Sequence, residues 1–488
     1  MKVKDIIQNC KVISVTGNTD TEVSLVTADS RKVVPGSLFV AVKGFASDGH
    51  AYIGQAIEKG ASAIIYDDVL PEGLTTGIAL VKTEESRFAL AQAADNFYDH
   101  PSQKLKLIGI TGTNGKTTTV TLLYQLFMSL GYNCGLLSTI ANYVGRTETE
   151  TTNTTSDPVT INRLMAQMVD EGCEYCFMEV SSIGMEQQRV AALKFRAGIF
   201  SNLTHDHLDY HKTFAEYLRC KKLFFDSLPA DAAAIINIDD KNGPVMVQNT
   251  AAKIITYSLG KMADHSCRIM EESFDGMLLK IDGEEVWTRL IGRHNAYNIL
   301  AIYSTAIELG ASKEEALVGI SKLESAKGRL ETIRGPRELS IILDYAHTPD
   351  ALENVLTTLK DIACDGQQVI AVFGCGGDRD RTKRPEMAAV AEKYADRIIL
   401  TSDNSRSERT EDIIAEMKTG LSARGLAKTL SIADRAEAIR TAIMTAPDGA
   451  AILLAGKGHE TYQIIGSEHR HFDEREIVRD IFKSIEAL

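Results

Sequence analysis

Residues 107–118 read Leu-Ile-Gly-Ile-Thr-Gly-Thr-Asn-Gly-Lys-Thr-Thr, and no other stretch limits the possible folds as tightly. An apolar run breaks at glycines and passes directly into a segment whose apolar positions, Val120, Leu123, Leu126, Phe127 and Leu130, keep helical spacing until Gly131. This predicts a strand, a tight loop and a helix. Such a loop turns backbone N–H groups toward a phosphate, and the helix start adds positive potential. Lys116 supplies a countercharge and the Thr117 hydroxyl can hold Mg²⁺. Gly112, Thr113, Asn114, Gly115, Lys116, Thr117 and Thr118 are therefore the candidates for an ATP-class ligand. The spacing departs from the general phosphate-loop pattern, because Ile110 stands where the first glycine is usual.

A chain of 488 residues is too long for one core and suggests about three domains. Its net charge of −13 argues against nucleic acid or an anionic membrane as partner, so anionic ligands must meet local basic clusters. Eight scattered cysteines, with no apolar run long enough to span a bilayer, fit a reduced cytoplasmic protein without membrane insertion or disulfides. Cys173 and Cys176 form a C-x-x-C without a second pair at zinc spacing and read as packing thiols.

The expected class is α/β in three domains. Residues 1–98 form a small N-terminal α/β domain, in which Asp29-Ser-Arg31 is either an ordinary turn or a small anion-binding edge. The polar stretch 100–104 reads as a linker. Residues 99–335 form a central P-loop-type ATPase domain with a mainly parallel sheet, its strands near 176–180, 197–200, 232–238 and 254–257. Ligands collect at the carboxyl ends of such strands, where Glu179-Val-Ser-Ser182 and the dense run Asn202-Leu-Thr-His-Asp-His-Leu-Asp-Tyr-His211 fall. A glutamate and a histidine at neighbouring strand ends can complete a Mg²⁺ shell. Residues 336–488 form a Rossmann-like domain, with strands near 341–345, 369–373, 398–400 and 452–454 and no G-x-G-x-x-G.

These motifs together resemble the Mur ligases of peptidoglycan synthesis, over all three domains. Thr111-Gly-Thr-Asn-Gly-Lys-Thr-Thr118 looks like the family's ATP loop, and Glu179-Val-Ser-Ser182 and Asp206-His-Leu-Asp209 like its metal-binding strand ends. The resemblance implies catalytic roles for Lys116, Glu179, His207 and Lys221, with Thr117, Glu179, His207 and a CO₂-carbamylated Lys221 as Mg²⁺ ligands. A desolvated lysine that reacts with CO₂ turns a cation into a carboxylate; Lys222 is its surface neighbour. It also implies nucleotide contacts from Asn295, Asn298, Arg329, Asp344 and His347. Ser30, Thr154, Thr155, Ser181, Gln187, Arg189 and Lys221 would hold a UDP-linked muramoyl dipeptide, the uridine end lying on the N-terminal domain. Arg379, Asp403, Asn404, Arg406, Gly456 and Glu460 would form an amino-acid pocket in the last domain.

The implied reaction is an ATP-dependent amide ligation in the cytoplasm. A monomeric enzyme would add meso-2,6-diaminopimelate to UDP-N-acetylmuramoyl-L-alanyl-D-glutamate through an acyl phosphate. The alternatives are lysine or another diamino acid as substrate, a ligase resembling folylpolyglutamate synthetase, and a catalytically dead scaffold. The first two share the loop, and the last conflicts with intact Lys116, Glu179, His207 and Lys221. Three residues depart from the family pattern beside recognition segments. Ser156 and Ser405 stand where proline is usual, and Ile183 stands where histidine is usual.

Overall fold

The computed structural model describes residues 1–44, 47–70, 77–149, 151, 153–204 and 208–486. The chain forms two compact units, residues 1–266 with 297–319 and residues 267–296 with 320–488.

The first unit holds two sheets. Strands β1 (Val12–Thr16), β2 (Leu25–Thr27), β3 (Ser37–Val40), β4 (Ala63–Tyr66) and β5 (Ala79–Thr83) make a five-stranded sheet in the order β1-β5-β4-β3-β2. It is parallel except for edge strand β1. The central sheet contains β6 (Lys106–Thr111), β7 (Cys134–Leu137), β8 (Asn142–Val144), β9 (Thr147–Thr149), β10 (Tyr175–Glu179), β11 (Ala197–Phe200), β12 (Ala233–Asn237) and β13 (Lys253–Ser258), ordered β13-β12-β11-β6-β10-β7-β8-β9. Among the described residues its pairings are parallel except β7 with β8 and β8 with β9.

The apolar runs become strands buried on both faces, as a helix-covered parallel sheet requires. β6 lies between β10 and β11, with Ile110 opposite Glu179 and Thr111 opposite Phe200. The phosphate strand, the Glu179 strand and the strand before Asn202 therefore end side by side. Gly109 serves packing, since a Cβ there would lie 2.6 Å from the Phe224 ring and 2.7 Å from the Phe195 ring.

The stretch read as a linker is more ordered than expected. His100 adopts a left-handed φ of 52°, and Pro101 opens a short helix, Pro101–Lys104. Proline's fixed φ and missing N–H suit a first helical turn. Buried Ser102 accepts the Lys194 N–H at 3.1 Å, tying the segment down. Cys173 and Cys176 are free and buried, and burial raises both thiol pKa values. That is what packing thiols show.

In the second unit, β14 (His265–Ser273), β15 (Gly276–Ile281) and β16 (Glu284–Thr288) form an antiparallel meander, β14 starting within the first unit. Strands β17 (Glu331–Arg334), β18 (Ser340–Asp344), β19 (Val369–Phe373), β20 (Arg397–Leu400), β21 (Thr429–Ser431) and β22 (Ala451–Ala455) form a six-stranded sheet ordered β17-β18-β22-β19-β20-β21. All its pairings are parallel except β17 with β18, and apolar clusters cover both faces. Buried Arg435 donates to the Ser402 carbonyl at 3.0 Å, the Ala455 carbonyl at 2.8 Å and Glu474 Oε1 at 2.7 Å. One guanidinium thus fixes the segments leaving β20 and β22, from which Asp403 and Gly456 follow.

Candidate active site

The phosphate loop leaves β6 at Thr111 and enters the helix Lys116–Ser129. Gly115 holds φ at 86°, where a side chain is costly, and a Cβ there would lie 2.5 Å from Asn298 Oδ1. The segment after β11 straps the loop. Asn202 accepts the Thr113 N–H on its carbonyl and the Asn114 N–H on its side chain, both at 2.9 Å, and Ser201 Oγ donates to the Asn114 carbonyl at 2.7 Å. Lys116 Nζ reaches the carbonyls of Gly112 at 2.9 Å and Thr113 at 2.8 Å. We expect Gly115→Ala to weaken ATP binding about tenfold by forcing a left-handed alanine against Asn298. Calorimetric titration with ADP checks this, and unchanged affinity would remove the loop from the nucleotide site.

Glu179 ends β10 fully buried. Its Oε1 accepts the Thr139 N–H at 2.8 Å, and its Oε2 is buried without a hydrogen-bond partner among the described residues. A buried, half-satisfied carboxylate is costly unless a cation completes it. Thr117, in the first turn of the helix that follows the neighbouring strand's loop, is also buried. Among the described residues no three His, Cys, Asp or Glu side chains converge. Magnesium at phosphoryl-transfer sites takes one or two protein carboxylates and completes its shell with phosphate oxygens and water, so Glu179 with Thr117 suits it. His207 lies outside the described residues.

The adjacent lysines part company. Lys221, on the helix Phe214–Asp226, is 1% exposed; its Nζ donates to the Gly112 carbonyl at 2.8 Å and lies 4.6 Å from the Tyr217 ring centre. Lys222 turns away and pairs with Asp226 at 2.6 Å.

Thr154, Thr155, Ser181, Gln187 and Arg189 join one network beside Glu179. Thr139 Oγ1 donates to Thr154 Oγ1 at 3.1 Å, while Thr155 Oγ1 donates to the Glu179 carbonyl at 2.9 Å and accepts the Ser181 N–H at 3.0 Å. Ser181 caps the short helix Ser182–Glu186. Arg189 reaches the Thr155 carbonyl and, at 2.6 Å, Gln187 Oε1; Gln187 Nε2 donates to Tyr210 OH at 3.0 Å. Gln187 also lines a cleft of about 690 Å³, together with Lys43, Arg87, Glu186, Tyr210 and Lys212. Ser30 lies in the turn after β2, which Arg31 closes on Asp29 with two bonds of 2.9 Å.

On the helix Arg293–Glu308, Asn298 faces Gly115, whereas the Asn295 amide donates to the Ile291 carbonyl at 2.8 Å. In the second unit, burial raises the pKa of Asp344, which accepts the N–H groups of Leu330 and Ala346, both at 2.8 Å. Arg329 lies 5.3 Å from the Tyr345 ring centre, and its buried Nε has no hydrogen-bond partner among the described residues. His347 is exposed and contacts the Tyr345 carbonyl at 2.8 Å.

Asp403, Asn404, Gly456 and Glu460 gather around buried Lys457. Its Nζ donates to Asn404 Oδ1 at 3.1 Å and Glu460 Oε2 at 3.3 Å, and lies 3.6 Å from Asp403 Oδ1. Arg406 donates to the Gly377 carbonyl at 2.9 Å and to the Asn404 carbonyl at 3.4 Å. Arg379 is exposed on the facing loop. Sequence reasoning missed Asn202, Thr139, Tyr217 and Lys457. Asn202 opens the polar run singled out after β11, and Lys457 stands between Gly456 and Gly458, so both carried a signal in the sequence.

Residues 22–98 match the Mur ligase family catalytic domain, residues 110–306 the Mur ligase middle domain and residues 328–458 the Mur ligase glutamate ligase domain. The chain is 49% identical, over 99% of its length and 100% of the other's, to the UDP-N-acetylmuramoyl-L-alanyl-D-glutamate--2,6-diaminopimelate ligase of Cytophaga hutchinsonii. A solved structure of a ligase of that same name superposes with a TM-score of 0.74 at 32% identity, covering 100% of this chain and 99% of that one. The folylpolyglutamate synthase of Mycobacterium tuberculosis, solved with ADP and AMPPCP, shares the fold at 17% identity, with a TM-score of 0.58 over 75% of this chain and 91% of its own.

Proposed function

The chain belongs to the Mur ligase family, and from that premise we propose that it joins meso-2,6-diaminopimelate to UDP-N-acetylmuramoyl-L-alanyl-D-glutamate in an ATP-dependent amide ligation. The terminal phosphoryl group of ATP passes to a carboxylate of the dipeptide. The amine of the incoming amino acid then attacks the acyl phosphate, and a tetrahedral intermediate collapses to amide and phosphate.

In this reading Lys116 follows the transferring phosphoryl group, exchanging its loop carbonyls for phosphate oxygens. Magnesium, held by Glu179 with Thr117, His207 and a carbamate on Lys221, would neutralise charge on that group. Thr154, Thr155, Ser181, Gln187 and Arg189 orient the muramoyl peptide, and Ser30 serves its uridine end. Asn295, Asn298, Arg329, Asp344 and His347 are the proposed nucleoside contacts. The functional boundaries are proposed near residues 98 and 335. Much of the acceleration is alignment of two bound reactants. No described helix is long and apolar enough to cross a membrane, and we place the reaction of a monomer in the cytoplasm, where ATP is supplied.

The observation that best supports the substrate assignment is the 49% identity sustained over the whole chain, N-terminal domain included. The folylpolyglutamate synthase likeness leaves a quarter of the chain uncovered. Phosphate release by the purified protein tests the proposal. With ATP and Mg²⁺, release should rise about a hundredfold or more only when both the UDP-linked dipeptide and diaminopimelate are present. Release that ignores the UDP-linked dipeptide would overturn it.

A further inference from the structure

Arg384, at the start of the helix Lys383–Tyr394, is fully buried. Its fork closes on Glu408, Nη1 to Oε2 at 2.9 Å and Nη2 to Oε1 at 2.8 Å. Nη1 also donates to Glu416 Oε2 at 2.7 Å, and Nη2 to the Gly376 carbonyl at 3.2 Å. Such two-point pairing is directional and holds both partners in one geometry. With Arg384 beside it, Glu408 is held down to a pKa of about 2.

Glu408 passes that geometry to two loops. Its Oε1 accepts the Asp378 N–H at 2.7 Å, and Asp378 accepts the Ser407 hydroxyl at 2.5 Å and N–H at 3.2 Å. Gly377 donates its N–H to the Asn404 carbonyl at 2.9 Å, and Arg406 Nη1 returns to the Gly377 carbonyl. The fit leaves no slack: a Cβ on Gly377 would lie 1.9 Å from the Ser405 carbonyl oxygen, and one on Gly376 3.0 Å from Arg406 Nη1. Asp378 and Arg406 hold φ at 55° and 48°, conformations that non-glycine residues keep only when their surroundings impose them.

We infer that Arg384 and Glu408 are positioning residues for the amino-acid substrate, fixing the loops that present Arg379 and Arg406 to its carboxylates. This rests on the proposed placement of the amino-acid pocket. A purely architectural pair would serve the helix and the sheet alike and leave substrate choice untouched. Glu416 provides the contrast, since it bonds the same guanidinium but neither residues 376–379 nor 404–408.

The test compares Glu408→Gln, Glu416→Gln and Arg406→Ala in the full-length enzyme. Glu408→Gln should raise KM for diaminopimelate about tenfold, the size of one charge-assisted hydrogen bond. Its preference for diaminopimelate over lysine should fall by a similar factor, with KM for ATP and the UDP-linked dipeptide unchanged. Glu416→Gln should keep both the preference and the diaminopimelate KM. Equal behaviour of the two glutamate variants, or an unaltered diaminopimelate KM in Glu408→Gln, overturns the inference. If the preference also survives Arg406→Ala, the pocket assignment itself falls; if it collapses in Arg406→Ala and survives Glu408→Gln, only the positioning role falls.

Discussion

Lys221→Ala is expected to lower kcat roughly a thousandfold, the several kcal/mol of charge stabilisation that a metal site supplies to a transferring phosphoryl group. The amine is buried 2.8 Å from the carbonyl of Gly112, in the phosphate loop itself. There the ammonium would first give up a proton, and the neutral amine would then add to CO₂, forming an N–C bond and losing a second proton, so that a cation is replaced by a carbamate anion. A short carboxylate such as acetate, diffusing into the space the side chain vacates, should restore part of the activity. Lys222→Ala should change kcat by less than about twofold, because what it loses is a pair with Asp226, four residues on in the same helix and outside the phosphate loop. Carbon-13 NMR after equilibration with labelled bicarbonate should show a carbamate in the wild type and in Lys222→Ala, and none in Lys221→Ala. Equal loss of activity in both variants would refute the assignment.

The second large effect concerns the choice of amino acid. Diaminopimelate differs from lysine by a second carboxylate, and Arg406 is the cation proposed to read it. The bonds of its guanidinium among the described residues are to the Gly377 and Asn404 carbonyls, so a ligand can supply a carboxylate to it. Leaving such a cation unpaired in a closed site costs about 2–5 kcal/mol, or roughly 30- to several thousand-fold in kcat/KM. Wild type should therefore use lysine poorly, and Arg406→Ala should lose most of its diaminopimelate activity while discriminating little. Comparable kcat/KM for the two amino acids in the wild type would contradict this. Ser405, standing where the family usually has proline, does not leave the loop loose. It is buried, and Arg406 is pinned through its N–H to Ile464 and through its carbonyl to Gly466.

Much of the fold was legible because its signals are local. The glycine loop, the apolar runs that became β6, β10, β11, β12 and β19, and the helix ending at Gly131 each depend on residues adjacent in the chain. The order within 100–104 was missed, because Pro101 was read as a breaker when it opens a helical turn.

The sequence by itself determined the chemistry available: a phosphate loop, carboxylates and lysines at strand ends, and arginines in the last domain. Only the tertiary structure decided which of them work together. Lys221 meets Gly112 across 109 positions and Asn202 meets Asn114 across 88, while Glu179 aligns with the loop because β6 and β10 pair in one register. Register and long-range pairing are set by burial of whole sheet faces, a sum over many residues that no single motif encodes. The same sum buried Lys221 against the phosphate loop and left Lys222 half-buried beside Asp226, although the two are neighbours of one type in one helix.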